Sequence, residues 1–69
     1  MQIRVRYFGT RGWYVARGLP SMAEYLHTDG VWRSTTASAG GMTGYYSTET
    51  AAITEAQKFD PTIRVGNNK

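Results

Sequence analysis

His27 is the single histidine of this 69-residue chain, which has no cysteine. Any histidine-activated nucleophile would have to use that one residue. It stands beside Asp29-Gly30, and the plain expectation is a partly exposed strand histidine that titrates without doing chemistry. Ser34, Ser38 and Ser47 have no accompanying base. The five acids at positions 24, 29, 49, 55 and 60 are scattered, without the spacing that holds a hard cation, and no thiolate is present to hold a soft one. Gly40-Gly41 lacks the following lysine of a phosphate-binding loop, and no glycine follows Gly44 at the next junction. These residues predict a protein that is not an enzyme, with no catalytic residue, no cofactor and no metal site.

Binding chemistry is better supplied, in two groups. The first is basic and interleaved with aromatics: Arg4, Arg6 and Phe8 alternate along one segment, Arg11 follows in a turn, and Arg17 and Arg33 lie on neighbouring segments. On an open sheet face such residues would lie along phosphates and offer rings for stacking. The plainer reading is that the arginines solvate the exposed face of a small sheet. The second group is aromatic: Tyr14, Tyr25, Trp32, Tyr45 and Tyr46. One helix cannot cover all of these together with Trp13, so some face outward or pack under a loop. Exposed rings would mark a protein interface. Within this group Tyr25, Trp32 and Arg33 flank one turn and form the expected partner-binding set, beside an adaptable loop over 36–44. The rival reading makes Trp32 core and the loop a mere connection.

The elements that must position these residues are legible from spacing. In residues 2–8, Ile3, Val5 and Tyr7 alternate with Gln2, Arg4, Arg6 and Phe8, which is the two-residue period of a strand. Gly9 to Gly12 turns the chain, and residues 13–17 form the second strand of a hairpin. Gly18-Leu19-Pro20-Ser21 interrupts the ladder, because proline cannot donate to it; a helical turn could start at Ser21. Residues 25–28 and 31–34 flank Asp29-Gly30, which predicts a hairpin with a two-residue turn. Small polar residues over 36–44 predict a mobile surface loop. Tyr45-Tyr46 reads as a short strand running into a helix over 49–59, capped by Ser47 or Thr48. Ala52, Ile53, Ala56 and Phe59 would form its buried stripe, and Asp60-Pro61 ends it. Residues 62–65 are a candidate edge strand, and 66–69 a frayed tail. The expected fold is one α+β domain over residues 1–69: an antiparallel sheet of four to five short strands packed against one C-terminal helix.

Composition narrows the class. Eight Lys+Arg against five Asp+Glu give a net charge of +3, a mild basicity short of dense cationic clusters. Aromatic residues make up 13% of the chain, and such residues carry many interface hot spots. A core of this size supplies only about 3–5 kcal/mol net, so binding a partner, or a second copy as a homodimer, is expected. The first residues have no apolar run of signal-peptide type, and no stretch approaches the roughly 20 apolar residues of a membrane span. The expectation is a soluble, cytoplasmic protein.

Two resemblances bear on function. Arg4 to Arg17, together with Gly44-Tyr45-Tyr46-Ser47-Thr48-Glu49-Thr50-Ala51-Ala52, resembles the AP2-type DNA-binding domain, whose three-stranded sheet is backed by a helix behind a similar aromatic-x-Thr-x-x-x-Ala junction. The connection over 19–44 is longer than that family's, and no DNA-contact residue is carried over. Gly12-Trp13-Tyr14-Val15, Tyr25-Leu26-His27-Thr28-Asp29-Gly30-Val31-Trp32 and Tyr46-Ser47-Thr48-Glu49 are similar in style to small phage and prophage proteins. That resemblance implies a viral, non-catalytic protein that docks on and inhibits a host protein, including defence nucleases. The alternative is a nucleic-acid-binding module using Arg4, Arg6, Phe8, Arg11 and Arg17.

Overall fold

The computed structural model describes residues 3–38 and 40–66. Its elements are β1 (Ile3–Phe8), β2 (Gly12–Arg17), β3 (Glu24–Leu26), β4 (Trp32–Arg33) and α1 (Glu49–Ala56), with short 3-10 turns at Gly9–Arg11 and Pro20–Met22. The sheet is fully antiparallel in the order β1-β2-β3-β4. This is the expected α+β layout, with four strands among the described residues. Gln2, whose strand assignment was expected, and residues 67–69 of the expected tail lie outside the described residues.

Alternation along the strands sorts the two faces. Val5, Trp13, Val15 and Leu26 are buried on the face that meets α1, against Ala52, Ile53 and Ala56. The helix starts as its sequence dictates. Thr48 is extended and its hydroxyl accepts from the Ala51 backbone N–H at 3.1 Å, and Glu49 lies in the first turn, where the helix dipole favours an acid.

The helix stops earlier than the stripe predicts. After Ala56 the backbone tightens to three-residue bonds, Lys58 N–H to Glu55 O at 3.3 Å and Phe59 N–H to Ala56 O at 3.0 Å. That rotation carries Phe59 off the stripe. It is 49% exposed and stands edge-on against Trp32, with ring centroids 5.3 Å apart, so its expected burial is corrected.

Five further expectations change. The hairpin carries a longer loop than two residues: the His27 N–H meets Val31 O at 3.0 Å and the Gly30 N–H meets His27 O at 2.9 Å. Only Gly30 has positive φ there, at 85°, and no non-glycine residue does. A two-residue turn of the Asp-Gly kind needs positive φ at both central residues, whereas a three-residue loop needs it only at the glycine. The described residues of 36–44 are no loose loop. Ser38 and Gly41 bridge, Thr28 N–H reaches Thr43 O at 3.0 Å, and Gly44 N–H reaches Thr36 O at 2.9 Å. Gly44 is buried because the backbone of Thr36 lies where a Cβ would sit, its Cα 2.7 Å away. Tyr45-Tyr46 makes only the isolated bridge Trp13–Tyr46. Residues 62–65 form no strand; the Ile63 carbonyl instead accepts from Gln57 at 2.8 Å and the Gly66 N–H donates to Glu49 at 2.9 Å, so Gly66 is tied to the helix rather than frayed.

Candidate binding face

The face turned away from α1 collects most of the residues singled out by sequence. Register places Arg4 opposite Ala16, Ala16 opposite Tyr25 and Tyr25 opposite Arg33. Arg6 lies opposite Tyr14, and Phe8 opposite Gly12. Cross-strand partners share a face, so Arg4, Arg6, Phe8, Tyr14, Tyr25 and Arg33 all belong to one surface.

Tyr45 joins them through two anchors. On one side Gly44 is pinned to Thr36. On the other, Tyr46 exchanges backbone hydrogen bonds with Trp13 at 2.7 and 2.8 Å and gives its hydroxyl to Leu26 O at 3.1 Å. With Tyr46 buried in the core, its neighbour Tyr45 turns to the opposite side. Gly12 makes this docking feasible: it has φ 100°, and a Cβ there would sit 2.3 Å from the Tyr46 carbonyl. Burial also pushes the Tyr46 phenol up to about 12.

Four rings then meet on the open face. Tyr14 stands edge-on to Tyr25 at 5.6 Å, to Phe8 at 6.5 Å and to Tyr45 at 6.4 Å, and Phe8 lies 5.7 Å from Tyr45. Edge-to-face contacts of this kind hold rings in fixed orientations. The rings and the residues Ser34, Thr35 and Thr36 line an open cleft of about 350 Å³. Thr36 donates its hydroxyl to the Tyr45 hydroxyl at 3.3 Å.

His27 fixes the rim of that cleft. It is fully buried, not partly exposed as its position suggested, because Thr35 and Thr43 close over it. Nε2 lies 2.7 Å from Thr35 O and Nδ1 lies 2.6 Å from the Thr43 hydroxyl. A carbonyl only accepts, so the network assigns the proton to Nε2. Thr43 in turn lies 2.8 Å from the Ser38 hydroxyl.

Charge is segregated. Glu24 accepts from Arg17 Nε at 2.9 Å, on the α1 side of the sheet. Asp29 holds Arg33 at the hairpin tip through two bonds of 3.1 and 3.0 Å. That guanidinium, with the Val31 N–H, lowers the Asp29 carboxyl to about 2, and the Arg33 value is raised by Asp29 in return. Glu49, Glu55 and Asp60 lie on or just past α1. Arg4 donates to Gly18 O at 2.7 Å and Arg6 to Val5 O at 3.0 Å. Neither forms an ion pair among the described residues. The centre of the open face is therefore positive.

The two expected residue sets are redistributed. Tyr25 and Arg33 stay on the open face, but Trp32 turns to the α1 side, where Phe59 meets it and the Arg17 guanidinium lies 4.2 Å above its ring. Arg4, Arg6 and Phe8 are brought together, Arg11 sits in the adjoining exposed turn, and Arg17 leaves with Trp32. Tyr14 and Tyr45 were visible only as members of an aromatic group. The rim of Ser34, Thr35 and Thr36 carried no sequence signal. Among the described residues no cluster of His, Cys, Asp or Glu could hold a metal ion, and no helix is long and apolar enough to cross a membrane. No family model, curated protein or solved structure matches the chain.

Proposed function

We propose that this chain is a small non-catalytic binding protein, working in the cytoplasm, whose open sheet face recognises nucleic acid. The observation that carries the reading is the joining of Arg4 and Arg6, neither ion-paired among the described residues, to a ring cluster of Phe8, Tyr14, Tyr25 and Tyr45 on one surface. Phosphates supply the charge such arginines lack, and bases supply flat partners for the rings. Neutralising two or three phosphates with Arg4, Arg6 and Arg11 gives a slope of log Kobs against log salt of about −1.4 to −2.1 on a single strand. A titration of labelled oligothymidylate at several salt concentrations measures it. Absence of binding, or a slope near zero, defeats the reading.

A second reading has its own support. Leu19, just before the Pro20–Met22 turn, and Met22, at its end, are 69% and 77% exposed, and Met22 lines a cleft with Tyr25 of the same face. An apolar knob next to a positive surface suits a protein partner with an acidic, partly apolar patch. On this reading, which the phage-type resemblance favours, the chain docks on a host protein and inhibits it. Leu19→Ser with Met22→Ser would then abolish partner capture, whereas oligonucleotide binding, if present, would survive the same changes.

A further inference from the structure

We infer that the cleft between the ring cluster and Ser34, Thr35 and Thr36 is a seat for one unstacked base of a single-stranded nucleic acid, so that single strands are preferred over duplex. This rests on the nucleic-acid reading and narrows it.

Three features argue for a base. The first is shape: an open cleft of about 350 Å³ with Phe8, Tyr14, Tyr25 and Tyr45 among its walls. Phe8 is 53% exposed, so much of its ring is available to stack. The second is the rim, where the hydroxyls of Ser34, Thr36 and Tyr45 are both donors and acceptors and can meet the polar edge of any base. The third is the approach. Arg4, Arg6 and Phe8 follow one another at every second residue of β1, about 7 Å apart on the same face. Two cations thus lead along the strand to the ring cluster, as a phosphate track leads to a base. In a duplex the base faces are already stacked and covered, and rings of this kind can be used only after unstacking.

The rim is also held in place. His27 ties Thr35, and Gly44 ties Thr36, each through one hydrogen bond. Little ordering is then lost when a base enters, which favours affinity.

The test uses the full chain and three labelled probes of equal length: oligothymidylate, the same strand with abasic sites, and the corresponding duplex. Oligothymidylate is expected to bind about five- to 150-fold more tightly than the abasic strand, the range of one aromatic stacking contact. Phe8→Leu and Tyr25→Leu, each checked for an unchanged fold by circular dichroism, are expected to shrink that ratio while keeping the salt slope. Equal affinity for the normal and abasic strands overturns the cleft assignment and leaves the nucleic-acid reading standing. Duplex binding as tight as oligothymidylate also overturns it. No salt-dependent binding of any probe overturns both. Displacement of oligothymidylate by polyglutamate at matched charge would show a general anion surface, and so overturn the assignment as well.

Discussion

Replacing His27 by leucine removes both bonds that hold Thr35 and Thr43 over the hairpin. The side chain is fully buried, and its nitrogens lie 2.7 Å from Thr35 O and 2.6 Å from the Thr43 hydroxyl. A net value of about 0.5–1.5 kcal/mol per bond gives a loss of about 1–3 kcal/mol. Thr43 keeps Ser38 as a partner, so the middle of that range applies. A domain of this size holds roughly 3–10 kcal/mol in total. At about 4–8 °C per kcal/mol, the melting temperature falls by about 10 °C. The effect is local in origin. Hydrogen exchange at the Thr28 and Gly44 amides, bonded to Thr43 O and Thr36 O, accelerates more than exchange at the β1–β2 ladder. Thr43→Val supplies the control: with His27→Leu already present, its added cost falls well below its cost alone, because the shared bond is gone. A variant that melts with the parent, or strictly additive costs, would refute the role given to His27.

Gly12→Ala costs at least about 2 kcal/mol, because it places a Cβ 2.3 Å from the Tyr46 carbonyl at a residue with φ 100°, combining backbone strain with a clash; a denaturant titration reads it. Phe59→Ala costs about 1–2 kcal/mol rather than a full core loss, since the residue is 49% exposed and its ring stands edge-on against Trp32. Its chemical-denaturation midpoint should lie much nearer the parent than that of Ile53→Ala, which is buried. Asp29 has its carboxyl lowered from 3.8 to about 2, so its contribution is present above pH 4 and is lost as the pH falls from about 4 to 2. Asp29→Asn should flatten the stability profile in that window and leave it unchanged at pH 7 to 8 apart from a constant offset.

The fold was legible because its signals are local. Alternation in β1 and β2 and the spacing of Ala52, Ile53 and Ala56 each fix a face without reference to distant residues. Of the misread parts, some turn on local backbone conformation and others on contacts distant in sequence. Asp29-Gly30 looks like a two-residue turn until the φ values show that only Gly30 is left-handed. Residues 36–44 look like a loose loop until His27, sixteen positions before Thr43, holds that hydroxyl. The site followed the same division. Arg4, Arg6 and Phe8 were placed together by period alone. The same period, with Trp32 in register against buried Leu26, puts Trp32 on the face opposite to Arg33, where Arg17 and Phe59 meet it. Tyr45 faces outward because Tyr46 docks inward on Trp13, and that bridge spans more than thirty positions.

The most direct test of the account compares two single-charge changes, Arg6→Ser on the open face and Lys58→Ser on the helix side. Lys58 pairs with Glu55 at 3.1 Å, far from the ring cluster in the fold's layering, and Arg6 shares its face with Tyr14. Both are exposed, so stability should change by no more than about 0.5 kcal/mol in either. Arg6→Ser is predicted to weaken oligothymidylate binding and to reduce the magnitude of the salt slope by about 0.7, the share of one phosphate. Lys58→Ser is predicted to leave the slope and the affinity as they were. Equal losses from the two variants would mean that net charge alone holds the strand, and would contradict a binding face on the open side of the sheet.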